Sequence, residues 1–281
     1  MSISASAVLV ELNISVWPAS KIDKEITNKV NFDAGAVHGA SQTKKNLFAG
    51  TNMRSNIEKL AARVRLYHNQ CTLPWADKGE RMLPTALFMD YKQTMDDYNN
   101  TFQMMCSEFF TAYPSLVAAA PVALQGLFKA EDYPDIEDVR TKFGFRRAVK
   151  PLPEAGDFRL DIPAQDLKEI RDEYEQQYSN KLADAMRAPW ERLHAMLITL
   201  STKMADEGEG KRYHDTLISN PLELCELLTK LNVTKDPKLE DARRQLELTM
   251  LGANIEVIKE STDARVELKS KVDAILGKFS W

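Results

Sequence analysis

The chain has few of the residues that build disulfide frameworks, zinc sites and histidine-based active sites. Its 281 residues include only three cysteines and four histidines, and these lie far apart. An odd number of cysteines outside any CxxC pair excludes a disulfide scaffold and shows no thiolate zinc site. The common nucleotide-binding, metalloprotease, hydrolase and calcium-loop motifs are absent as well. We therefore expect a protein that is not an enzyme and that uses no cofactor or metal.

A leader sequence and long apolar runs are also missing. The first residues carry no basic segment, and their apolar side chains alternate with polar ones, unlike a signal peptide. No stretch reaches 18 uninterrupted apolar residues, so no transmembrane helix is expected. These absences predict a cytoplasmic protein without a membrane partner.

The chain has no overall excess of positive charge, but positive charge is concentrated in two segments. The net charge of −4 excludes an evenly basic coat for nucleic acid. Residues 18–66 nevertheless hold nine basic and four acidic side chains, and residues 140–150 hold five basic and none that is acidic. The remainder of the chain carries −14. Such segregation is typical of a protein that binds phosphate groups at one place.

The second basic segment also contains two aromatic residues. On a strand, Phe143 and Phe145 would point to one face, while Lys142 and Arg146 would point to the other. Rings beside cations favour stacking of unpaired bases, although the rings could equally face the core above a solvated edge. The predicted DNA-binding residues are Lys44, Lys45, Arg54, Arg140, Lys142, Phe143, Phe145, Arg146, Arg147 and Lys150. The five acids between Glu131 and Asp138 are either a solvated linker or ligands for a hard cation.

Periodicity predicts one clear strand and several long helices. Apolar residues alternate from Val8 to Val16, which indicates a strand. Residues 19–54 read as a short helix and a long loop, 56–69 as a helix capped by Ser55, and 71–84 as a turn region. A heptad seam of apolar residues then predicts a long helix that ends at Pro114. Its members are Phe88, Tyr91, Met95, Tyr98, Phe102, Met105, Phe109 and Ala112.

The rest of the chain reads as a hairpin followed by helices. Residues 142–152 and 158–162 are predicted strands, and a second long helix begins at Pro163 and kinks or breaks at Pro189. Three shorter helices are predicted at about 213–231, 238–258 and 262–279. We expect an α+β fold, predominantly helical, in which long antiparallel helices form a coiled-coil-like arm beside one small antiparallel sheet. Residues 1–206 would form the core and arm, and residues 207–281 a C-terminal helical region.

Three parts of the sequence resemble one family. The opening VLVELNISVWPASK, the aromatic-seamed helix and the DVRTKFGFRRAV segment are similar to a phage and bacterial family of otherwise unknown function. That family includes the single-stranded-DNA-binding RNA polymerase cofactors of N4-related Pseudomonas phages, and its bacterial members occur near AAA+ ATPases. The resemblance covers roughly residues 7–206, and the positions it maps are Arg140, Phe143 and Phe145.

The resemblance implies a function and leaves alternatives open. It implies a non-enzymatic protein in the cytoplasm of an infected bacterium, which binds single-stranded DNA, brings a phage RNA polymerase to melted promoters and forms a homo-oligomer. The first alternative is a helical adaptor for an AAA+ ATPase or polymerase complex that does not touch DNA. The second is a nuclease inhibitor that binds DNA ends.

Overall fold

The fold is α+β and predominantly helical, as predicted, with small antiparallel sheets. The computed structural model describes residues 5–76, 79–153, 164–205 and 213–279. Their strands are β1 Ala7–Ser15, β2 Ser20–Ile22, β3 Lys44–Asn46, β4 Leu73–Pro74, β5 Glu80–Pro84 and β6 Gly144–Pro151. Their helices are α1 Lys24–Asp33, α2 Met53–Cys71, α3 Phe88–Leu124, α4 Ile136–Arg140, α5 Ala164–Ala205, α6 Thr216–Leu231, α7 Pro237–Leu251, α8 Ile255–Glu260 and α9 Thr262–Lys278.

Four of the strands form one sheet in the order β4-β5-β1-β6. β1 pairs antiparallel with β5, so that Leu9 lies opposite Met82 and both side chains are buried. The predicted strand at the N-terminus is therefore confirmed, whereas β4 and β5 fall where only a turn region was expected. β2 and β3 form a separate two-stranded sheet inside the predicted long loop, with Lys21 opposite Lys45. The expected returning strand at 158–162 lies outside the described residues.

The contacts divide the chain into two compact units. Unit 1 consists of Met1–Glu11, His68–Tyr91 and Ala148–Trp281, and unit 2 of Leu12–Tyr67 and Lys92–Arg147. In unit 1, α5 packs mainly on α9, and Leu193, Leu197 and Leu200 share one core with side chains of α6 to α9. Helices on both sides of the predicted boundary at residue 206 thus contribute to the same core.

Unit 2 is organised around aromatic rings. Phe48 is buried and packs edge-on against Trp17, Phe109, Tyr113 and Tyr133, at centroid separations of 5.5 to 5.9 Å. Edge-to-face pairs of this kind add to the hydrophobic stabilisation of a core. The aromatic residues of the heptad seam therefore fill a core rather than form a surface row.

The long helix α3 differs from the prediction at its end. Helix α3 does not stop at Pro114 but runs on to Leu124 with two prolines inside it. Tyr113 is buried in the aromatic cluster and donates a hydrogen bond to the Pro134 carbonyl, and such tertiary contacts can offset the bond that proline removes. The segment Thr85–Leu127 is, by length and composition alone, able to cross a membrane, although it contains no run of 18 uninterrupted apolar residues.

Helices α2 and α5 also differ from the prediction. α2 begins at Met53, so Ser55 lies inside its first turn and donates to the Asn52 carbonyl instead of capping the helix. α5 runs through Pro189 without the break that was one of the two predicted outcomes there. The sequence located both helices correctly but placed the start of α2 a few residues late, which is the usual uncertainty of a cap reading.

Candidate nucleic-acid interface

The two units differ in net charge. Unit 2 contains 15 lysine and arginine residues against 12 aspartate and glutamate residues, whereas unit 1 contains 22 against 29. The net charges are therefore +3 and −7. A polyanion would favour the surface of unit 2, because opposite charge lowers the energy of approach.

The sequence-predicted site residues fall into two groups. Lys44 on β3 and Arg146 on β6 are exposed, and neither makes an ion pair among the described residues. Both remain available to an external phosphate. The other predicted residues already have partners inside the protein.

The two phenylalanines are used for packing. Phe143 lies 5.6 Å from Phe109 and 5.4 Å from Phe110, and Phe145 lies 5.8 Å from Phe102, measured between ring centroids. The prediction that they share one face is confirmed, but that face lies against α3. We therefore remove Phe143 and Phe145 from the candidate DNA-binding surface, since their contacts explain why phenylalanine is present.

Two predicted cations are likewise held by carboxylates. The Lys45 side chain is only 5% exposed, and its Nζ lies 2.6 Å from Asp132 Oδ2 and donates to the Leu127 carbonyl at 2.8 Å. Arg147 donates to Asp96 Oδ1 at 2.8 Å, and its side chain is 20% exposed. Hydrogen bonds from Lys92 and Arg147 lower the pKa of the Asp96 carboxyl. Withdrawing Lys45 for DNA would leave Asp132 without its ion-pair partner, whereas withdrawing Arg147 would leave Asp96 with Lys92 alone.

The remaining predicted cations have weaker internal partners. Arg140 is exposed, 3.5 Å from Glu137, and its guanidinium lies over the Phe110 ring at 4.8 Å. Lys150 lies in unit 1, where it donates to Glu80 at 2.6 Å and approaches Glu11 at 3.6 Å. Exposed pairs of this kind contribute about 0–1 kcal/mol, so they would yield to a phosphate more readily than the buried ones.

The two basic segments meet at Trp17. Lys142 Nζ lies over the Trp17 ring at 5.3 Å, and Arg54 Nη1 donates to the Trp17 carbonyl at 3.3 Å while Nη2 bonds Glu58 at 2.7 Å. A residue from each segment therefore contacts the same tryptophan. Because the ring is 8% exposed, it serves as an anchor for the two cations rather than as a stacking surface.

One face of the β1–β6 pair is open next to this junction. A Cβ on Gly144 would lie 2.9 Å from Ser15 Oγ, so position 144 points toward the same side as the Ser15 side chain. Arg146 is two residues further along β6 and Asn13 two residues back along β1, which places both on that side. Asn13, Ser15 and Arg146 are exposed, and they form a polar strip that ends at the Trp17 junction.

Further free cations lie in the first basic segment, where the sequence offered no reason to choose among them. Lys21, Lys24, Lys29, Lys44, Lys59 and Arg63 are exposed, and within the described residues they make no ion pair. In the same segment, Glu25 pairs with Lys129 and Glu58 with Arg54, which leaves Asp33 as the exposed acid without a basic partner. The positive charge of this segment is thus mostly uncompensated.

A polar cleft opens at the start of α2. It has a volume of about 470 Å³, and it is lined by Asn46, Phe48, Gly50, Thr51, Asn52, Arg54 and Ser55. The Thr51 hydroxyl accepts a hydrogen bond from the Met53 amide at 3.3 Å. The first turn of a helix carries free N–H groups and a partial positive charge, so the cleft adds to the positive character of unit 2.

Three side chains that could take part in catalysis are buried in neutral form. Burial, together with the charge of Arg81, lowers the pKa of His68 to about 4. Burial raises the pKa of the Cys106 thiol to about 12 and that of Cys225 to about 11, so neither is a thiolate at neutral pH. Across the ranges that the structure describes, no group of three His, Cys, Asp or Glu side chains is placed to hold a metal ion.

Comparison with known proteins does not assign the chain to a family. No protein-family model, no curated protein and no solved structure matches the chain.

Proposed function

We propose that this protein binds single-stranded DNA through the basic surface of unit 2. The observation that carries the proposal is the group of exposed cations without ion pairs in residues 18–66, where Asp33 is the exposed acid without a basic partner. Arg146 and the polar strip of the β1–β6 face extend this surface. Each contact with a phosphate would release counterions, which is the main source of affinity for a nucleic-acid strand.

A single strand suits this charge distribution better than a duplex. The cations lie on several separate elements, namely β2–β3, α1 and α2, and a flexible ligand can follow such a distribution. A single strand is flexible, whereas bending a duplex costs several kcal/mol. The net charge of −7 on unit 1 opposes extensive wrapping by a stiff polyanion.

The role in transcription rests on the family resemblance. By that resemblance the protein brings a phage RNA polymerase to melted promoters in the infected cell, acts as a homo-oligomer and is not an enzyme. Binding of unpaired strands by unit 2 is consistent with such a role, because a melted promoter exposes single-stranded DNA.

The surface of α3 favours a second candidate function, that of a helical adaptor. From Phe109 to Phe128 the chain has no charged residue, and only 17% of the most apolar stretch of this helix is buried. Val122 is 81% exposed. An exposed apolar surface often marks a protein-interaction site, so partner binding through α3 is the alternative to DNA binding.

Binding to a fluorescent single strand and to its duplex at two salt concentrations tests the proposal. We expect tighter binding of the single strand and an affinity that falls with salt. Replacing Lys59 and Arg63 by glutamate should reduce the slope of log K against log salt by about 1.4, since each single-strand phosphate contact contributes about 0.7. Arg146→Glu should also weaken binding and leave stability nearly unchanged, because its side chain is exposed and free of ion pairs.

Lys238→Glu is the matched control. Lys238 is an exposed lysine on α7 of unit 1, so its reversal changes the total charge equally but not the proposed surface. An equal effect of Lys238→Glu and Arg146→Glu would show that net charge alone matters and would contradict the proposal. Preference for blunt duplex ends would instead support the nuclease-inhibitor alternative.

A further inference from the structure

Phe32 is unusual among the aromatic residues of the chain. Its side chain is 84% exposed, while every other tryptophan, tyrosine and phenylalanine in the described ranges is buried or half-buried. It lies in the first basic segment, near the C-terminal end of α1. Single exposed apolar residues are common, so a function for Phe32 has to be argued from the residues around its ring.

The helix that carries Phe32 is anchored by its opposite side. Asp23 caps α1 by accepting from the Ile26 amide at 3.1 Å, and Thr27 and Asn31 are buried. The Thr27 hydroxyl accepts from the Thr43 amide at 3.0 Å, and Asn31 Oδ1 accepts from the Ser41 hydroxyl. Because these contacts fix the inner face of α1, the outward position of Phe32 is a property of the fold.

The outer surface of α1 carries two exposed lysines, Lys24 and Lys29, and two exposed acids, Glu25 and Asp33. Asn28 and Lys29 precede Phe32 by four and three residues and are its neighbours on the helix surface, whereas Lys24 lies about 12 Å further along the same side. Lys24 and Lys29 are exposed and make no ion pair among the described residues. Glu25, on the same side, is already paired with Lys129.

Further apolar side chains and cations belong to the same region of the chain. Val30 and Val37 are 44% and 79% exposed, and Ile22 on β2 is 48% exposed. Lys44, which is exposed, pairs across the two-stranded sheet with Ile22. A ligand for this surface needs flat apolar groups to cover the ring and negative charges to meet the lysines.

We propose that Phe32 stacks on an unpaired base of the bound strand while Lys24 and Lys29 contact its phosphates. This assignment rests on the proposed function. It gives Phe32 the base-stacking role that was predicted from the sequence for Phe143 and Phe145. Charge complementarity selects the ligand, because a single strand presents bare base faces at intervals along a chain of phosphates. A stacked base contributes affinity with little dependence on sequence.

The test compares a normal single strand with an abasic strand of equal length. Phe32→Ala should weaken binding of the normal strand by about 5-fold to 150-fold, and binding of the abasic strand should stay unchanged. Phe32→Trp should retain affinity, and the tryptophan fluorescence should be quenched by the normal strand. Val122→Ala is the matched control, since Val122 is similarly exposed in unit 2 but lies in the uncharged part of α3.

The outcomes separate this inference from the proposed function. If the wild-type protein fails to bind any single strand, both are wrong. If it binds and Phe32→Ala binds equally well, the proposed function holds and the stacking role is overturned. An equal loss for the normal and the abasic strand would also overturn stacking, because that loss cannot come from base contact. Binding to anionic lipid vesicles that depends on Phe32, with no effect on DNA, would show that the occupant is a membrane and would overturn the inference.

Discussion

Acidification should destabilise the protein through one buried histidine. His68 is 5% exposed and its Nδ1 lies 2.7 Å from the Tyr91 hydroxyl. Burial and the neighbouring Arg81 lower its pKa from 6.5 to about 4. The unfolded chain therefore binds a proton between pH 6.5 and 4 that the folded chain does not bind. Stability is complete above pH 6.5 and is lost as the pH falls toward 4.

The size of the effect follows from this pKa difference. The full difference is equivalent to about 3 kcal/mol, of which about 2 kcal/mol should be lost between pH 7 and pH 5. Carboxyl groups with lowered pKa, such as those of Asp96 and Asp273, lose their contribution only below about pH 4.5. The interval from pH 7 to pH 5 thus reports mainly on His68.

Urea unfolding at several pH values measures this dependence. His68→Gln keeps a group that can bond the Tyr91 hydroxyl but cannot be protonated in this range, so its stability should vary much less from pH 7 to pH 5. His38→Gln is the control, since His38 is exposed and its replacement should keep the wild-type pH dependence. The reasoning is refuted if His68→Gln and the wild type lose the same free energy of unfolding on acidification.

Two further predictions concern the core of unit 2. Lys45→Ala should lower the free energy of unfolding by about 3–5 kcal/mol, because it leaves Asp132 buried without its partner. The double variant Lys45→Met with Asp132→Leu should recover most of this loss in urea unfolding. A double variant no more stable than Lys45→Ala would contradict the explanation. Ala19→Gly should raise the free energy of unfolding by up to about 1 kcal/mol, because Ala19 has φ +46°, a region that favours glycine. An unchanged or lower urea midpoint would argue against backbone strain at this position.

Periodic segments were predicted well, and short paired strands were not. The alternation from Val8 to Val16 and the heptad seam from Phe88 to Ala112 are local patterns that burial of one face imposes on the sequence. β4 has two residues and β5 five, and they form only because they pair with each other and with β1. Pairing of this kind depends on residues distant in the chain, so the proline and glycine of the segment suggested only a turn.

The features of the candidate site also divide into those that the sequence predicted and those that it did not. Composition located the two basic segments, and strand alternation correctly put Phe143 and Phe145 on one face. Apart from Lys44, the free cations in residues 18–66 and the exposed Phe32 could not be recognised, because exposure depends on which acids and rings the fold brings near. A signal was present for Phe32, namely an aromatic residue near two lysines on a weakly amphipathic helix, but the sequence contains many such residues.

The sequence by itself determined the helical character of the chain, the N-terminal strand and the concentration of basic residues in two segments. The tertiary structure alone decided which of those residues face the solvent. Lys44 and Lys45 are neighbours on β3, yet the first is exposed and the second is buried against Asp132. Arg146 and Arg147 differ in the same way on β6, since the second is held by Asp96. Successive side chains of a strand point to opposite faces, and only packing determines which face is covered.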